Sequence, residues 1–378
     1  MSASKTIKML SRLLCAALLL SPGFAFADYE LNLIRGVTEV SHMQYNLHML
    51  VLWICTVAGI GVFGVMIYSI IAHRKSKGAK AAQFHESTLV EVIWTVIPFA
   101  ILVAIAVPAT SGLLLLESTD KADVNIKVTG IQWKWEYNYI DEDGVKFISQ
   151  LDKASDDARK LKSGVDVTTI ENYLLNVDNP IVVPVKKRVR LLITSKDVIH
   201  AWWVPNLGVK RDAVPGYINE SWFYAEEPGV HRGQCAELCG KDHGFMPIVV
   251  KVVSQADYDT WIAGQKGAAS ASAAEDTKVF SMDELMARGE AVYTKSCAAC
   301  HQANGEGITG AFPAIKGGKI ATGDKAGHID IVVNGKPGTA MAAYGSQLSK
   351  AELAAVITFE RNAFGNKKGD MVQPSDIK

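Results

Sequence analysis

The sequence predicts a multidomain chain: a two-helix transmembrane hairpin, then an all-β sandwich, then a small all-α domain. Three observations carry this reading. Residues 49–71 and 92–116 are uncharged and apolar. From Asp123 to about Val253 the pattern shifts to short alternating runs punctuated by Pro and Gly. Beyond an Ala/Ser/Gly-rich stretch, Ser281 with Glu284 and Ser349 with Glu352 have the spacing of helix-opening capping boxes.

The N-terminus reads as a secretion signal over residues 1–27. Lys5, Lys8 and Arg12 form a basic start, residues 13–20 an apolar core, and Ala25-Phe26-Ala27 a cleavage site that leaves Asp28 first. Cys15 lies inside the apolar core, without the small residues that precede a lipidated cysteine. Residues 28–117 then hold an N-terminal segment and two membrane helices, about 48–72 and 90–116. At about 1.5 Å per residue each exceeds the roughly 30 Å hydrocarbon core. Pro98 and Pro108 are tolerated there if neighbouring helices re-satisfy the freed carbonyls. The basic loop His73-Arg74-Lys75-Ser76-Lys77-Gly78-Ala79-Lys80 places the connection in the cytoplasm and both flanking regions outside. Glu91 opens the second helix. A carboxylate at that depth is a proton-pathway candidate, or an interfacial residue favoured by the helix N-terminus.

Residues 118–263 carry the alternating runs, among them 124–128, 189–193 and 247–253, and are expected to form an antiparallel sandwich or barrel. Residues 141–180 are polar and irregular, an insertion with one short helix. Residues 264–280 read as a flexible linker, and residues 281–378 as the helical domain and tail. The chain has 39 basic and 39 acidic residues, so no charge excess points to nucleic acid.

Four of the six cysteines fall in two motifs. The first is the run from Gln234 to Met246, where Cys235, Cys239, His243 and Met246 gather two thiolates, an imidazole and a thioether. That soft ligand set suits copper, and less completely zinc. A zinc site of two Cys and two His would leave Met246 idle. Two bridged coppers need a second imidazole, from His200 or His231. His200 is favoured because it follows the strand ending at Ser195. The Glu237 carbonyl can serve as a weak axial ligand. The second motif, Cys297-Ala298-Ala299-Cys300-His301, is a C-x-x-C-H signature of covalent haem attachment, with His301 proximal. Met341, in a Gly-rich loop, is favoured as the sixth ligand over Met282, Met286, Met371 and His328. Cys15 and Cys55 stand outside both motifs.

These residues, with Gly130-Ile131-Gln132-Trp133-Lys134-Trp135-Glu136-Tyr137 and Val90-Glu91-Val92-Ile93-Trp94-Thr95, closely resemble subunit II of the haem–copper cytochrome c oxidases, in the form fused to a C-terminal cytochrome c. The resemblance covers nearly the whole chain. It implies an all-β cupredoxin-like sandwich and an all-α cytochrome c domain. It implies a dinuclear CuA centre bound by His200, Cys235, Glu237 through its carbonyl, Cys239, His243 and Met246. It also implies covalently bound haem c, and a magnesium ion shared with subunit I through the Glu237 carboxylate. Trp133 becomes the electron entry and Glu91 the mouth of a proton channel. The implied partners are oxidase subunits I and III, a periplasmic donor such as cytochrome c, and membrane lipid. The implied location is a bacterial inner membrane, with the large domains on the periplasmic side. The implied work is electron transfer to subunit I, where oxygen is reduced and protons move. Ala342 follows Met341 where similar fused members often have Pro. Two other readings compete. Copper-delivery proteins also use C-x3-C, but on a thioredoxin-like scaffold with Pro where Gly240 stands. Nitric oxide reductases also carry CuA subunits.

Overall fold

The computed structural model describes residues 32–80, 83, 85–118 and 120–378. The leader read over 1–27, including Cys15, lies outside the described residues.

Helix α1 (Glu39–Ala72) starts well ahead of the expected position near residue 48. Its 34 residues span about 51 Å, more than the hydrocarbon core requires. Hydropathy misses the polar first turns because they pack on protein. Thr38 caps the helix, accepting from the Ser41 amide at 3.0 Å, and its hydroxyl donates to the Leu207 carbonyl at 3.0 Å. Gln44 donates to the Gly208 carbonyl at 2.9 Å. Helix α2 (Thr88–Leu116) ends where Trp222 donates to the Leu115 carbonyl at 3.2 Å, and the Arg188 guanidinium lies 3.7 Å from the centre of the Trp222 ring. Beyond those first turns of α1 both helices are apolar on every face, and Trp53, Ile60, Phe63, Phe99 and Leu102 are exposed. Such surface fits lipid and makes the pair a two-pass membrane anchor.

The sandwich is built from β1 (Val124–Ile131), β2 (Lys134–Tyr139), β3 (Lys146–Ser149), β4 (Ile181–Pro184), β5 (Arg188–Ser195), β6 (His200–Val204), β7 (Val209–Ala213), β8 (Asn219–Tyr224), β9 (Gly229–Cys235) and β10 (Pro247–Val253). Among the described residues they form two five-stranded sheets, ordered β3-β2-β1-β5-β8 and β4-β10-β9-β6-β7. The expected purely antiparallel arrangement is corrected: β1 pairs with β5, and β4 with β10, in parallel. Alternation reports which face of a strand is buried but not its direction. Trp135, Tyr137, Tyr139, Trp202, Phe223 and Ile248 fill the space between the sheets. Residues 141–180 hold β3, helix α3 (Lys153–Ala158) and a short 3₁₀ turn.

The linker expectation is also corrected in part. Helix α4 (Gln255–Glu275) runs straight through the Ala/Ser/Gly stretch. Alanine is the strongest helix former, and five of the seven residues over 268–274 are Ala. Trp261 packs on Tyr139, Phe147 and Tyr258, and Lys266 pairs with Glu142 at 2.7 Å, which holds α4 against the sandwich.

The helical domain contains α5 (Met282–Ser296), α6 (Ala298–His301), α7 (Lys325–Asn334) and α8 (Lys350–Asn362). Both capping boxes form, at Ser281/Glu284 and Ser349/Glu352. Helix α8 is almost wholly buried, and α5 crosses it at Gly289, where an added Cβ would lie 2.2 Å from the Ala355 carbonyl oxygen.

Candidate metal centre and haem-attachment segment

Strand β9 delivers Cys235 and β10 departs from Pro247, so the intervening loop is pinched shut. Gln234 lies opposite Pro247, and the Cys235 amide donates to the Met246 carbonyl at 3.0 Å. Strand β6 runs beside β9, with Trp202 opposite Cys235, which brings His200 to the same end. The Cys235 and Cys239 sulfurs are 3.8 Å apart. His200 Nδ1 lies 3.9 Å from the Cys235 sulfur, and His243 Nδ1 3.5 Å from the Cys239 sulfur. The ligand atoms of His200, Cys235 and Cys239 all fall within 4.8 Å of one another. The Cys235 thiol also points at the Glu237 carbonyl, 3.4 Å away. Met246 is buried in the same cluster as both cysteines, while the Glu237 side chain and the neighbouring Leu238 are exposed.

The electrostatics fit a cation. A hydrogen bond from Cys239 pulls the Cys235 thiol well below the usual thiol range, helped by His200. The same bond, with burial, holds Cys239 above the usual thiol range. Two sulfurs this close share a proton, and both ionise only when a positive charge replaces it. Burial disfavours charge on His200, but hydrogen bonds to Asp197 and Cys235 outweigh it and raise the imidazole. Asp197 Oδ1 lies 2.9 Å from His200 Nε2, which turns Nδ1 toward the sulfurs. Gly130 leaves room for the ring, since a Cβ there would lie 2.7 Å from His200 Cδ2. His231, the other candidate, sits on β9 opposite Val250, beside Asn206 and apart from this group.

Trp133 is half-buried in the β1–β2 turn, and its indole donates to the Cys239 carbonyl at 3.1 Å. Gln132 donates to the same carbonyl at 2.8 Å and, through its amide, to Asp197 at 2.7 Å. Gln132 and Asp197 were not singled out from the sequence. Asp197 offered a signal, three residues before His200.

In the helical domain, Cys297 and Cys300 flank the start of α6, and burial pushes both thiols up. His301 is buried, with Nδ1 2.8 Å from the Pro313 carbonyl. That bond assigns the proton to Nδ1 and leaves Nε2 unprotonated, as an imidazole that ligates a metal must be. Met341 is half-buried against the domain core, with its carbonyl accepting from the Lys336 amide at 3.0 Å. His328 is engaged elsewhere: its Nε2 lies 2.9 Å from a buried Glu360 oxygen. Met371 is exposed, and Met282 and Met286 lie on α5.

The haem-attachment segment lies against the sandwich. Lys134, 9% exposed, points its ammonium over the Tyr344 ring at 4.9 Å, and the Tyr344 hydroxyl donates to the Ser296 carbonyl at 2.8 Å. Lys196 and Lys146 donate to Ser346 at 2.9 and 3.2 Å. Burial lowers the Lys134 ammonium to about 8, against the pull of Cys297. Cys300 feels Lys241 and Asp242 of the metal loop.

Glu91 stands in the first turn of α2, where a carboxylate oxygen accepts from the Ser87 amide at 3.4 Å.

Comparison with known proteins gives a consistent result. The family "Cytochrome C oxidase subunit II, transmembrane domain" matches residues 27–111, and "Cytochrome C oxidase subunit II, periplasmic domain" matches 124–253. "Cytochrome C oxidase, cbb3-type, subunit III" matches 284–359. The chain is 40% identical over 257 residues to a probable cytochrome c oxidase subunit 2 of Rickettsia bellii, covering 67% of this chain and 92% of that one. It is 38% identical over 221 residues to the cytochrome c oxidase subunit 2 of Cereibacter sphaeroides, covering 56% and 73%. The crystal structure of the periplasmic domain of subunit II of the Bradyrhizobium japonicum cytochrome oxidase is 43% identical. It covers 40% of this chain and 98% of that one, with a TM-score of 0.35.

Proposed function

Because the chain belongs to the cytochrome c oxidase subunit II family and ends in a cytochrome c-type domain, we propose that it carries electrons from a periplasmic donor, through its own haem c and a dinuclear CuA centre, to subunit I. Oxygen is reduced to water there, coupled to proton translocation; this chain reduces no oxygen itself. Family membership brings the copper and the haem c. The ligand assignment rests on the geometry above.

His200, Cys235, the Glu237 carbonyl, Cys239, His243 and Met246 would hold the copper pair, and Cys297, Cys300, His301 and Met341 the haem. When bound, the copper pair would supply a one-electron redox site. The chain's residues do the positioning. Asp197 orients His200, and the pinch between β9 and β10 fixes both sulfurs. The Trp133 indole bonded to the Cys239 carbonyl gives electrons an aromatic entry that ends on a ligand's backbone. The exposed Glu237 carboxylate suits a magnesium ion completed by subunit I, since a hard cation takes carboxylate oxygen. Glu91 would open a proton path from the cytoplasmic side. The large domains would face the periplasm, with subunit III and cytochrome c as further partners.

The observation that carries this reading is the buried thiol pair flanked by two imidazoles, on the same chain as a C-x-x-C-H segment packed against its sandwich. Metal and haem analysis of the subunit, purified with its partners in mild detergent, tests it. Two coppers per covalent haem are expected. A single zinc per chain would contradict it.

A further inference from the structure

The insertion ahead of β4 reaches the metal loop through Arg159, which pairs with Asp242 at 3.3 Å. Its ends are drawn together: the Gln150 amide donates to Asp178 at 3.0 Å, and the Asp178 amide to the Gln150 carbonyl at 3.0 Å. Such a closed, self-packed excursion is a compact surface loop rather than a slack one. From it, Arg159 reaches back over the run between Cys239 and Met246. Its Nη1 lies 3.3 Å from Asp242 Oδ1, and its guanidinium carbon 4.3 Å from the centre of the Phe245 ring. Asp156 holds the other side of the guanidinium at 2.8 Å. Asp242 immediately precedes His243, and Phe245 follows it by two, so Arg159 grips the loop on both sides of that imidazole.

Charge makes the grip matter. Asp242 has a side chain only 8% exposed. Its second oxygen meets Lys241 at 3.1 Å, but that lysine is half exposed and also reaches toward the Trp133 ring. A buried carboxylate that loses its inward cation must find water or move. Moving Asp242 moves His243, which leans 3.5 Å from the Cys239 sulfur. At its far end the insertion is tied to β9 by Asn176, which accepts from Arg232 at 3.2 Å. Asp178 there also lies 3.5 Å from Lys295, on the helix that leads into Cys297.

We infer that this insertion is a clasp on the metal loop and that Arg159 is its positioning residue, setting the place of His243 through Asp242 and Phe245. The inference rests on the reading of this loop as a copper site. Residues that orient metal ligands typically contribute 10–100-fold in affinity. Lysine is a poor substitute for arginine here, because it keeps the charge but loses the flat face that stacks on Phe245.

The test uses the full-length subunit in its purified complex, with copper retention against a copper-specific chelator and the paramagnetic resonance spectrum of the oxidised metal as readouts. Arg159→Gln is expected to release copper about 10–100-fold more readily and to change the copper hyperfine pattern, with covalent haem content unchanged. Arg159→Lys falls between, and carries the test should Arg159→Gln not assemble. Lys160→Gln, whose lysine pairs among the described residues with Asp156 and Asp157 of the insertion, leaves both readouts as in the parent. Adding Asp242→Asn to Arg159→Gln recovers most of the loss, since no stranded charge remains. A parent that holds two coppers beside an Arg159→Gln variant with the same retention and spectrum overturns the clasp alone. A parent without the copper pair overturns the underlying reading as well.

Discussion

Lys134 is the residue whose environment contributes a stability effect of readable size. Its ammonium is buried at the seam between β2 and the haem-attachment segment, with the Tyr344 ring 4.9 Å away. Burial lowers its pKa from 10.5 to about 8. That lowering corresponds to about 3 kcal/mol. The folded value lies below the unfolded one, so between about 8 and 10.5 the unfolded chain holds a proton that the folded chain has released. Stability therefore rises with pH across that window, and at neutral pH the buried charge opposes the packed state. Lys134→Met removes the charge and keeps the length. It also loses a cation–ring attraction of about 0.5–2 kcal/mol, which leaves a net gain of about 1–2.5 kcal/mol at pH 7. Urea titration of the full-length subunit in detergent, followed through haem absorption, measures it at neutral and alkaline pH. The variant should be the more stable at pH 7, and its advantage should narrow as the pH approaches 10. A Met variant of equal or lower stability at pH 7, or a difference indifferent to pH, would refute the reasoning.

Three further outcomes are expected. Met341→Ala should lower the haem potential in a redox titration while copper content stays unchanged, because a thioether ligand favours the reduced iron; an unaltered potential moves the sixth ligand elsewhere. Glu91→Gln should slow oxygen uptake by the complex without changing the rate at which CuA is reduced. Normal turnover would leave Glu91 as a helix-end residue bonded to the Ser87 amide. Gly289→Ala should destabilise the helical domain by about 1–3 kcal/mol, because its Cβ would press on the Ala355 carbonyl oxygen where α5 crosses α8. A thermal melt unchanged from the parent would show that the two helices separate freely.

What the sequence made legible follows the range of the interactions involved. Cys235, Glu237, Cys239, His243 and Met246 stand in one short loop, so their spacing alone proposed a soft metal site. The capping boxes at Ser281 and Ser349 are equally local, and both form. His200 was reachable because it follows a strand, but only the pairing of β6 with β9 sets it beside Cys235 rather than His231. Contacts between distant segments left no local signal. Lys134 over Tyr344, Arg159 over Phe245, and Gln132 on the Cys239 carbonyl each join parts of the chain that no periodicity connects. Two misreadings came from composition standing in for context. The Ala/Ser/Gly run looked like slack chain, yet it continues a helix that Trp261 pins to the sandwich. Hydropathy places the start of the first membrane helix near residue 48 because the turns before it are polar, yet they are helical and pack on the sandwich through Thr38 and Gln44.

The most direct test of the central claim, that the two thiolates hold a shared copper pair, is the paramagnetic resonance spectrum of the oxidised full-length subunit loaded with copper. The account predicts a hyperfine pattern in which one unpaired electron divides equally between two copper nuclei. It also predicts that the pattern is lost in Cys239→Ser while the covalent haem signal persists. A spectrum of isolated single-copper sites, or one unaffected by Cys239→Ser, would contradict it.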